Sequence, residues 1–362
     1  MKITIVAGAR PNFMKIAPII RCIQTEQKKE INISYRLVHT GQHYDKAMSD
    51  TFFEELLIPY PDANLEVGSG TQAGQTAMIM IRFEEELIKN PTDLVLVVGD
   101  INSTMACSIV TKKLGIQLVH VEAGIRSFDL NMPEEINRMV TDAIADHFFT
   151  TSHYANNNLS KAGIEKERIH FVGNTMIDTL MANLNKFKRP EIFDTKHLEA
   201  KKYLVLTLHR PSNVDDQENL KEILSQIGAN SRSLEIIFPA HPRTAVNLHK
   251  LKFLPENIQI IEPLGYLEFM YLVKNSFAVI TDSGGIQEET TVMKVPCLTL
   301  RKNSERPETI TVGTNELIHS IDDIPRWMNI LFGGKWKQGD IPELWDGKTS
   351  ERIVKRLCEL YN

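Results

Sequence analysis

The sequence predicts an α/β protein of two domains, each built around a doubly wound parallel sheet. Three observations predict this fold. Short apolar runs rich in valine, isoleucine and phenylalanine alternate with amphipathic segments, and this pattern restarts in the second half of the chain. The length of 362 residues also exceeds what one hydrophobic core usually serves. Ligands of such sheets bind beyond the carboxyl ends of the strands, so we expect a site in a cleft where the two domains face each other.

Each apolar run predicts one strand, and the 3.6-residue periodicity of segments 76–89 and 104–114 predicts helices between strands. The predicted strands are residues 3–7, 35–40, 94–98, 118–122, 147–151 and 169–172, then 203–208, 235–240, 258–262, 278–281 and 297–300. A polar stretch at 183–202 predicts the joint between the domains. We therefore predict an N-terminal domain at 1–178, a C-terminal domain at 179–345, and a last segment, 346–362, whose helix packs back on the first domain.

The composition excludes several classes of protein. The formal net charge of -5 disfavours a nucleic-acid partner, because such proteins usually present a basic face. The opening residues do not resemble a signal peptide, and no apolar run approaches the roughly 18 residues of a membrane span, so we expect no membrane partner. The four cysteines lie far apart without metal-ligand spacing, which predicts reduced thiols in the cytoplasm and no metal site.

The first predicted strand is followed by GARPN, with Lys15 close behind. The Gly-x-Gly-x-x-Gly fingerprint is absent, so we predict no nicotinamide or other cofactor. Arg10 and Lys15 instead place two cations at a helix start, where the helix dipole also attracts anions. This pattern predicts binding of a diphosphate; the alternative is a solvated first helical turn.

Three carboxylates follow strands of the first domain. Asp100 and Glu122 come at the ends of neighbouring predicted strands, so both point toward the expected site. For Asp100 the alternative is a helix N-cap. Glu134 and Arg138 lie four residues apart on one helix face, which taken alone indicates an exposed salt bridge.

The strongest pattern in the second half is TDSGGIQEE, where a strand runs into a helix through a Ser-Gly-Gly turn. Ser283, Gly284 and Gly285 predict a phosphate-binding turn, because glycines let a ligand approach the backbone N–H groups. Glu288 or Glu289 is a candidate acceptor for a ribose diol. The alternative is a tight turn with acidic residues stabilised by the helix dipole.

Basic residues follow three other strands of the second half. His209 and the HPR segment at 241–243 come at adjacent strand ends, which favours anion binding. Arg306 lies in the polar segment RKNSERPE and is a candidate phosphate or carboxylate ligand. Taken singly, a histidine is more often structural than functional, and the segment around Arg306 is typical of an ordinary surface loop.

Taken in order, these segments resemble the non-hydrolysing UDP-N-acetylglucosamine 2-epimerase family over nearly the whole chain. The matching segments are GARPNFMK, HTGQHYD, GDINST, HVEAGIRS, MPEEINR, LHRPSN, HPRT, TDSGGIQEE and ERPE. The resemblance implies the glycosyltransferase-B fold, a UDP-sugar substrate, a homodimer and a place in surface polysaccharide synthesis.

The resemblance also implies residue roles. It marks Asp100, Glu122, Glu134 and His209 as catalytic, and Arg10, Lys15, Arg138, Phe269, Ser283, Gly284, Gly285, Glu289 and Arg306 as substrate-binding. The implied reaction removes the C2 proton as UDP leaves C1, giving 2-acetamidoglucal, and UDP then adds back while C2 is protonated on its other face. Which carboxylate serves which face stays open.

Two departures from the family pattern leave further points open. Pro211-Ser212 replaces the usual residues after the histidine motif, and Gly70-Thr71-Gln72 replaces an Arg-Gln pair that relatives use to bind an activating second UDP-sugar. The first-domain motifs are also similar to those of relatives that epimerise UDP-2,3-diacetamido-glucuronic acid. A glycosyltransferase, a hydrolysing epimerase and a non-enzymatic nucleotide-sugar sensor are the remaining alternatives.

Overall fold

The computed structural model describes residues 1–42, 53, 57–251 and 253–361. The chain forms two compact units, the first comprising Met1–Ala182 and Glu343–Asn362 and the second Asn183–Pro342. The first unit thus takes its residues from both ends of the chain. The predicted boundaries, after 178 and after 345, differ from these by a few residues.

Within the described residues, the first unit contains a parallel sheet of seven strands in the order β3-β2-β1-β4-β5-β6-β7. The strands are β1 Lys2–Ala7, β2 Ser34–His39, β3 Ala63–Asn64, β4 Leu94–Val98, β5 Gln117–Val121, β6 His147–Thr150 and β7 Ile169–Phe171. Its helices are Arg10–Gln27, Gln72–Lys89, Asn102–Lys113, Pro133–Ile144, His153–Lys161, Thr175–Asn183 and Thr349–Tyr361. All five residues of β4 are buried, as expected for a strand covered on both faces.

The second unit repeats this topology with six parallel strands in the order β10-β9-β8-β11-β12-β13, counted over its described residues. They are β8 Tyr203–Thr207, β9 Glu235–Pro239, β10 Ile258–Ile261, β11 Ala278–Thr281, β12 Cys297–Leu300 and β13 Asn315–Ile318. The helices are Ile192–Thr195, Pro211–Val214, Gln217–Asn230, Pro242–Leu248, Tyr266–Asn275, Gly284–Val292, Pro307–Thr311 and Ile324–Phe332. Short 3₁₀ turns occupy Lys166–Arg168 in the first unit, and Leu184–Lys186 and Ile321–Asp323 in the second.

In each sheet the order in which successive strands are added reverses at one point, between β1 and β4 in the first unit and between β8 and β11 in the second. In doubly wound sheets the crevice beyond the carboxyl ends of the strands at this reversal is where ligands bind. The predicted α/β fold with two parallel sheets is therefore confirmed. The predicted strands are confirmed to within one or two residues, whereas β3 and β13 were not predicted.

The terminal helix Thr349–Tyr361 packs against Arg10–Gln27 in the first unit. It buries Ile353, Val354 and Leu357, which lie on one face. Its first turn is capped by the side chain of Asp178, which accepts hydrogen bonds from the backbone N–H of Thr349 at 3.0 Å and of Ser350 at 2.6 Å. Burial raises the pKa of Asp178, and these hydrogen bonds oppose that shift.

Among the described residues, no helix is long and apolar enough to cross a membrane.

Candidate functional site

The first unit places Asp100 and Glu122 at the carboxyl ends of adjacent parallel strands. In the pairing of β4 with β5, Val98 lies opposite Val121, and each carboxylate follows within two residues of its strand. Lys15, from the helix that follows β1, forms an ion pair with Glu122. The Glu122 side chain is only 2% exposed. The predicted pair of strand-end carboxylates therefore lies together with one of the predicted cations.

Asp100 is held by the helix Pro133–Ile144. Its Oδ2 lies 2.7 Å from Nη1 of Arg138, and its backbone carbonyl accepts a hydrogen bond from the side chain of Asn137 at 2.9 Å. The next helix has Ile101 as its N-cap residue, so the alternative in which Asp100 serves as the N-cap is wrong. Its carboxylate contacts a guanidinium instead, and about a third of the side chain stays exposed.

Arg138 pairs with Glu135 rather than with Glu134, so the exposed salt bridge considered for Glu134 and Arg138 is wrong. The Arg138 Nη2 lies 2.8 Å from Oε2 of Glu135, and both side chains are buried. Glu135 also accepts hydrogen bonds from the backbone N–H groups of Ser127 at 2.9 Å and Phe128 at 3.1 Å. Burial acts to raise the pKa of Glu135, but these hydrogen bonds and Arg138 outweigh it and lower the pKa. Glu135 therefore fixes the loop after β5.

Glu134 and Arg10 are both exposed at helix starts. Glu134 lies in the first turn of Pro133–Ile144, and Arg10 is the first residue of Arg10–Gln27. Two residues further along that helix, the buried Asn12 accepts a hydrogen bond from the N–H of Ala9 at 3.1 Å and donates one to the carbonyl of Val98 at 3.1 Å. Asn12 thus ties the turn after β1 to the end of β4, a role that its place in the first motif did not reveal.

In the second unit, the residues of the candidate site surround Asp282, which follows β11. This fully buried carboxylate accepts hydrogen bonds from the backbone N–H of Arg210 at 2.9 Å and the side chain of Asn213 at 3.0 Å. Its Oδ1 lies 2.7 Å from Nδ1 of His209, whose ring is half exposed. Burial acts to raise the pKa of Asp282, but the bonds from His209 and its neighbours outweigh it and lower the pKa.

Asp282 lies within the TDSGGIQEE motif but is not among the predicted site residues. Its position directly after a buried strand, before Ser-Gly-Gly, was the available signal. Its contacts fix which nitrogen of His209 faces the protein.

The Ser-Gly-Gly turn leaves its backbone open. Ser283 precedes the helix Gly284–Val292, and its side chain makes no capping hydrogen bond. A Cβ placed on Gly284 or Gly285 would meet no atom within 4 Å. The space beside these two glycines is thus open at the start of a helix, where backbone N–H groups favour a phosphate.

Two buried carboxylates follow on the same helix. Oε1 of Glu289 accepts a hydrogen bond from the hydroxyl of Tyr266 at 3.0 Å. Burial and the nearby Glu288 raise the pKa of Glu289 to about 8, against the effect of Tyr266. Glu288 forms an ion pair with Arg306. The predicted ribose acceptor and the predicted phosphate ligand are thus each held by a side chain of the second unit.

Phe269 is half-buried on the helix Tyr266–Asn275, one turn beyond Tyr266. His241 is exposed at the carboxyl end of β9. The motif at 39–45 continues past residue 42, and that part lies outside the described residues. Within the described chain, no group of three or more His, Cys, Asp or Glu side chains is arranged to hold a metal ion.

Comparison with known proteins identifies the family to which these features belong. The family model described as UDP-N-acetylglucosamine 2-epimerase matches residues 25–358. A Methanocaldococcus jannaschii protein named UDP-N-acetylglucosamine 2-epimerase is 43% identical over 370 residues, covering 99% of each chain. A Pseudomonas aeruginosa protein named UDP-2,3-diacetamido-2,3-dideoxy-D-glucuronate 2-epimerase is 36% identical over 363 residues, covering 99% of this chain and 100% of the relative.

Solved structures of UDP-GlcNAc 2-epimerases also align with this chain over almost its full length. The crystal structure of the M. jannaschii UDP-GlcNAc 2-epimerase with UDP-GlcNAc and UDP aligns with a TM-score of 0.87, covering 99% of this chain and 100% of that one at 43% identity. The UDP-GlcNAc-bound Neisseria meningitidis UDP-GlcNAc 2-epimerase aligns with a TM-score of 0.89 at 30% identity, covering 99% and 100%. The family model that matches residues 25–358 and the relative that is 43% identical over 99% of each chain show that this chain belongs to the UDP-N-acetylglucosamine 2-epimerase family.

Proposed function

We propose that this protein interconverts UDP-N-acetylglucosamine and UDP-N-acetylmannosamine without hydrolysis. The carrying observation is the group of carboxylates and cations at the ends of β4 and β5, where Asp100 lies against Arg138 and Glu122 against Lys15. An epimerisation at C2 needs groups that remove and return a proton; carboxylates can do both, and here their cationic partners hold them in position. Membership of the family supports the same reaction.

In the proposed reaction a carboxylate takes the proton from C2 while the C1–O bond breaks and UDP leaves with the bonding electrons. This forms the double bond of 2-acetamidoglucal. UDP then adds back to C1, and C2 receives a proton on its other face from a second acidic group. We assign these proton transfers to Asp100, Glu122 and Glu134 of the first unit.

Nucleotide binding is assigned to the second unit. The open N–H groups at Gly284 and Gly285, with Ser283, suit the diphosphate. Arg306, already beside Glu288, adds positive charge. We assign the ribose to Glu289 and the uracil to Phe269.

For the first unit we assign phosphate contacts to Arg10 and Lys15. We assign Arg138 to orienting Asp100. In the second unit, His209 is assigned as a further catalytic group because Asp282 orients its ring. The half-exposed ring keeps its outer edge accessible to a ligand.

The test is proton NMR of the purified protein with UDP-N-acetylglucosamine in D₂O. We expect deuterium at C2, appearance of UDP-N-acetylmannosamine and no free sugar. Release of free N-acetylmannosamine and UDP would instead identify a hydrolysing enzyme. Full retention of the C2 proton would contradict the proposal for this substrate.

A second candidate is 2-epimerisation of UDP-2,3-diacetamido-glucuronic acid. The 36% identity to the P. aeruginosa relative of that name, over nearly its full length, favours it. The same NMR experiment with that nucleotide sugar distinguishes the two. Exchange at C2 with this sugar, and none with UDP-N-acetylglucosamine, would select the second candidate.

We further propose a homodimer in the cytoplasm that supplies precursors for surface polysaccharides. Three neighbouring helices of the first unit, Gln72–Lys89, Asn102–Lys113 and Pro133–Ile144, pack side by side. Two of them expose large apolar side chains, namely Met78, Ile81, Ile88, Ile136 and Met139, which we call the apolar helix face. An apolar surface of this kind favours association with a second copy through the same face.

The free thiols of the four cysteines suit a reducing compartment, which supports the proposed location in the cytoplasm.

A further inference from the structure

A fully buried histidine lies between the segments that carry the proposed catalytic carboxylates. His120 is on β5, two residues before Glu122, and is 0% exposed. Its Nδ1 lies 2.7 Å from Oδ1 of Asp142, and its Nε2 lies 2.8 Å from the carbonyl oxygen of Gly99. None of the proposed reaction steps uses this ring.

Counting protons on these two bonds indicates the charge of the ring. A carbonyl oxygen can only accept a hydrogen bond, so Nε2 must carry a proton. Independently of His120, Asp142 accepts a hydrogen bond from the N–H of Gly124 and contacts the guanidinium of Arg126, and this cation favours the ionised carboxylate. An ionised Asp142 also only accepts, so Nδ1 must carry a proton as well. Donation from both nitrogens is the hydrogen-bonding pattern of an imidazolium.

The bonds around this ring connect three segments of the site. Gly99 directly precedes Asp100, and His120 leads into Glu122. Asp142 belongs to Pro133–Ile144, the helix that also carries Glu134 and Arg138. The second oxygen of Asp142 accepts hydrogen bonds from the N–H of Gly124 at 3.0 Å and from Arg126 at 2.6 Å.

The backbone that His120 holds also lies directly against the Lys15–Glu122 ion pair. A Cβ placed on Gly99 would be 3.4 Å from Nζ of Lys15 and 3.5 Å from Oε2 of Glu122. A shift of Gly99 would therefore displace both charged groups.

We propose that His120 is a positioning residue, held as an imidazolium by Asp142, that fixes the spacing of the segments bearing Asp100, Glu122 and Glu134. It also places a positive charge behind them. The charged groups around this position are Asp142 and Arg126 beside the ring, and Lys15, Glu122, Asp100 and Arg138 on the side of the strand ends. The kinetic consequence of this inference rests on the proposed function, whereas the charge of the ring does not.

The charge is tested on wild-type protein labelled with ¹⁵N-histidine, by NMR between pH 6 and 8. We expect one histidine to keep protons on both ring nitrogens through pH 8, and its signals to be absent from the spectrum of His120→Gln. If every histidine of the wild-type protein has one unprotonated nitrogen at pH 8, the imidazolium is ruled out. This measurement needs no substrate, and only the assignment of the signals to His120 needs the variant.

The positioning role is tested by the pH profile of epimerisation in His120→Gln. We expect kcat to fall roughly 10- to 100-fold, with a smaller effect on UDP affinity, because the reacting groups are misplaced while the nucleotide contacts assigned to the second unit are intact. We also expect the acidic limb of kcat to move to higher pH, because the carboxylates ionise less readily without the nearby cation.

The matched control is His39→Gln. His39 is also buried in the first unit, but burial lowers its pKa to about 4, so its ring is neutral near pH 7. This variant should not move the acidic limb. A His120→Gln enzyme whose pH profile matches wild type, with or without a lower melting temperature, would overturn the positioning role. If wild-type protein shows no C2 exchange with either nucleotide sugar, the proposed function fails while the NMR result still decides the charge of His120.

Discussion

At Glu122 the backbone adopts a φ of 68°, in the left-handed region that glycine favours. A non-glycine residue there costs on the order of 1–3 kcal/mol, and such strain is common at functional sites. The turn directs the carboxylate to Lys15 while burying it almost completely. The strained conformation therefore places a buried charge beside its partner at the strand end.

Neutralising each proposed catalytic carboxylate should lower turnover while leaving nucleotide binding close to wild type. We expect Asp100→Asn, Glu122→Gln and Glu134→Gln each to lower kcat by roughly 100-fold or more, because proton transfer is lost. UDP affinity, measured by calorimetry, should stay close to wild type because none of these three carboxylates is assigned a contact with the nucleotide. The control is Glu85→Gln, an exposed residue of Gln72–Lys89. Wild-type turnover in all three variants would remove the carboxylates from the mechanism.

The raised pKa of Glu289 predicts that the effect of this residue on folding stability depends on pH. Its pKa is about 8 in the folded protein, against an ordinary value of 4.5. Between these two pH values the unfolded chain releases the proton while the folded chain retains it, so this group makes folding less favourable as pH rises. The melting temperature of Glu289→Gln relative to wild type should therefore increase from pH 5 to pH 8. The exposed Glu222→Gln should show no such trend, and equal trends in both variants would contradict the assignment.

At the scale of elements, parallel pairing brings distant parts of the chain to one edge. Because β4 pairs with β1 on one side and β5 on the other, residues near 10, 100 and 122 meet at their carboxyl ends. The helix Pro133–Ile144 then adds Arg138 to the same edge. The terminal helix contributes differently, since it completes the first unit by covering Arg10–Gln27.

Truncating a buried side chain of the terminal helix tests that contribution. We expect Leu357→Ala to lower the free energy of unfolding by about 2–5 kcal/mol, because it removes buried methyl groups and leaves a cavity. Lys355→Ala, on the exposed side of the same helix, should change it by less than about 0.5 kcal/mol. Urea unfolding measures both. Equal effects of the two substitutions would show that the buried face does not carry the packing.

At the scale of the whole molecule, the apolar helix face tests the proposed homodimer. Ile81 is 53% exposed near the middle of Gln72–Lys89. We expect Ile81→Glu to convert a dimer into a monomer, because a buried interface does not tolerate an unpaired charge. Light scattering after size exclusion gives the mass directly. The control is Val246→Glu, which is 56% exposed in the second unit and should leave the dimer intact. A dimer that survives Ile81→Glu would place the interface elsewhere.

The strands and long helices could be predicted because their apolar periodicity is local. The two strands that were missed, Ala63–Asn64 and Asn315–Ile318, lack a long apolar run: the first has two residues and the second includes Asn315 and Glu316. They form because a neighbouring strand offers hydrogen-bond partners. Pairing of this kind depends on distant residues, so no local pattern reveals it.

The sequence by itself determined the fold class, the family and the strand ends at which polar side chains gather, because periodicity and motifs lie along the chain. Only the tertiary structure decided which groups pair. It joined Arg138 to Glu135 and Asp100, Tyr266 to Glu289, and His120 to Asp142. Several of these partners are 22 or more residues apart, and their protonation depends on burial and on distances of about 3 Å. Those quantities arise only when the folded sheet brings the side chains together.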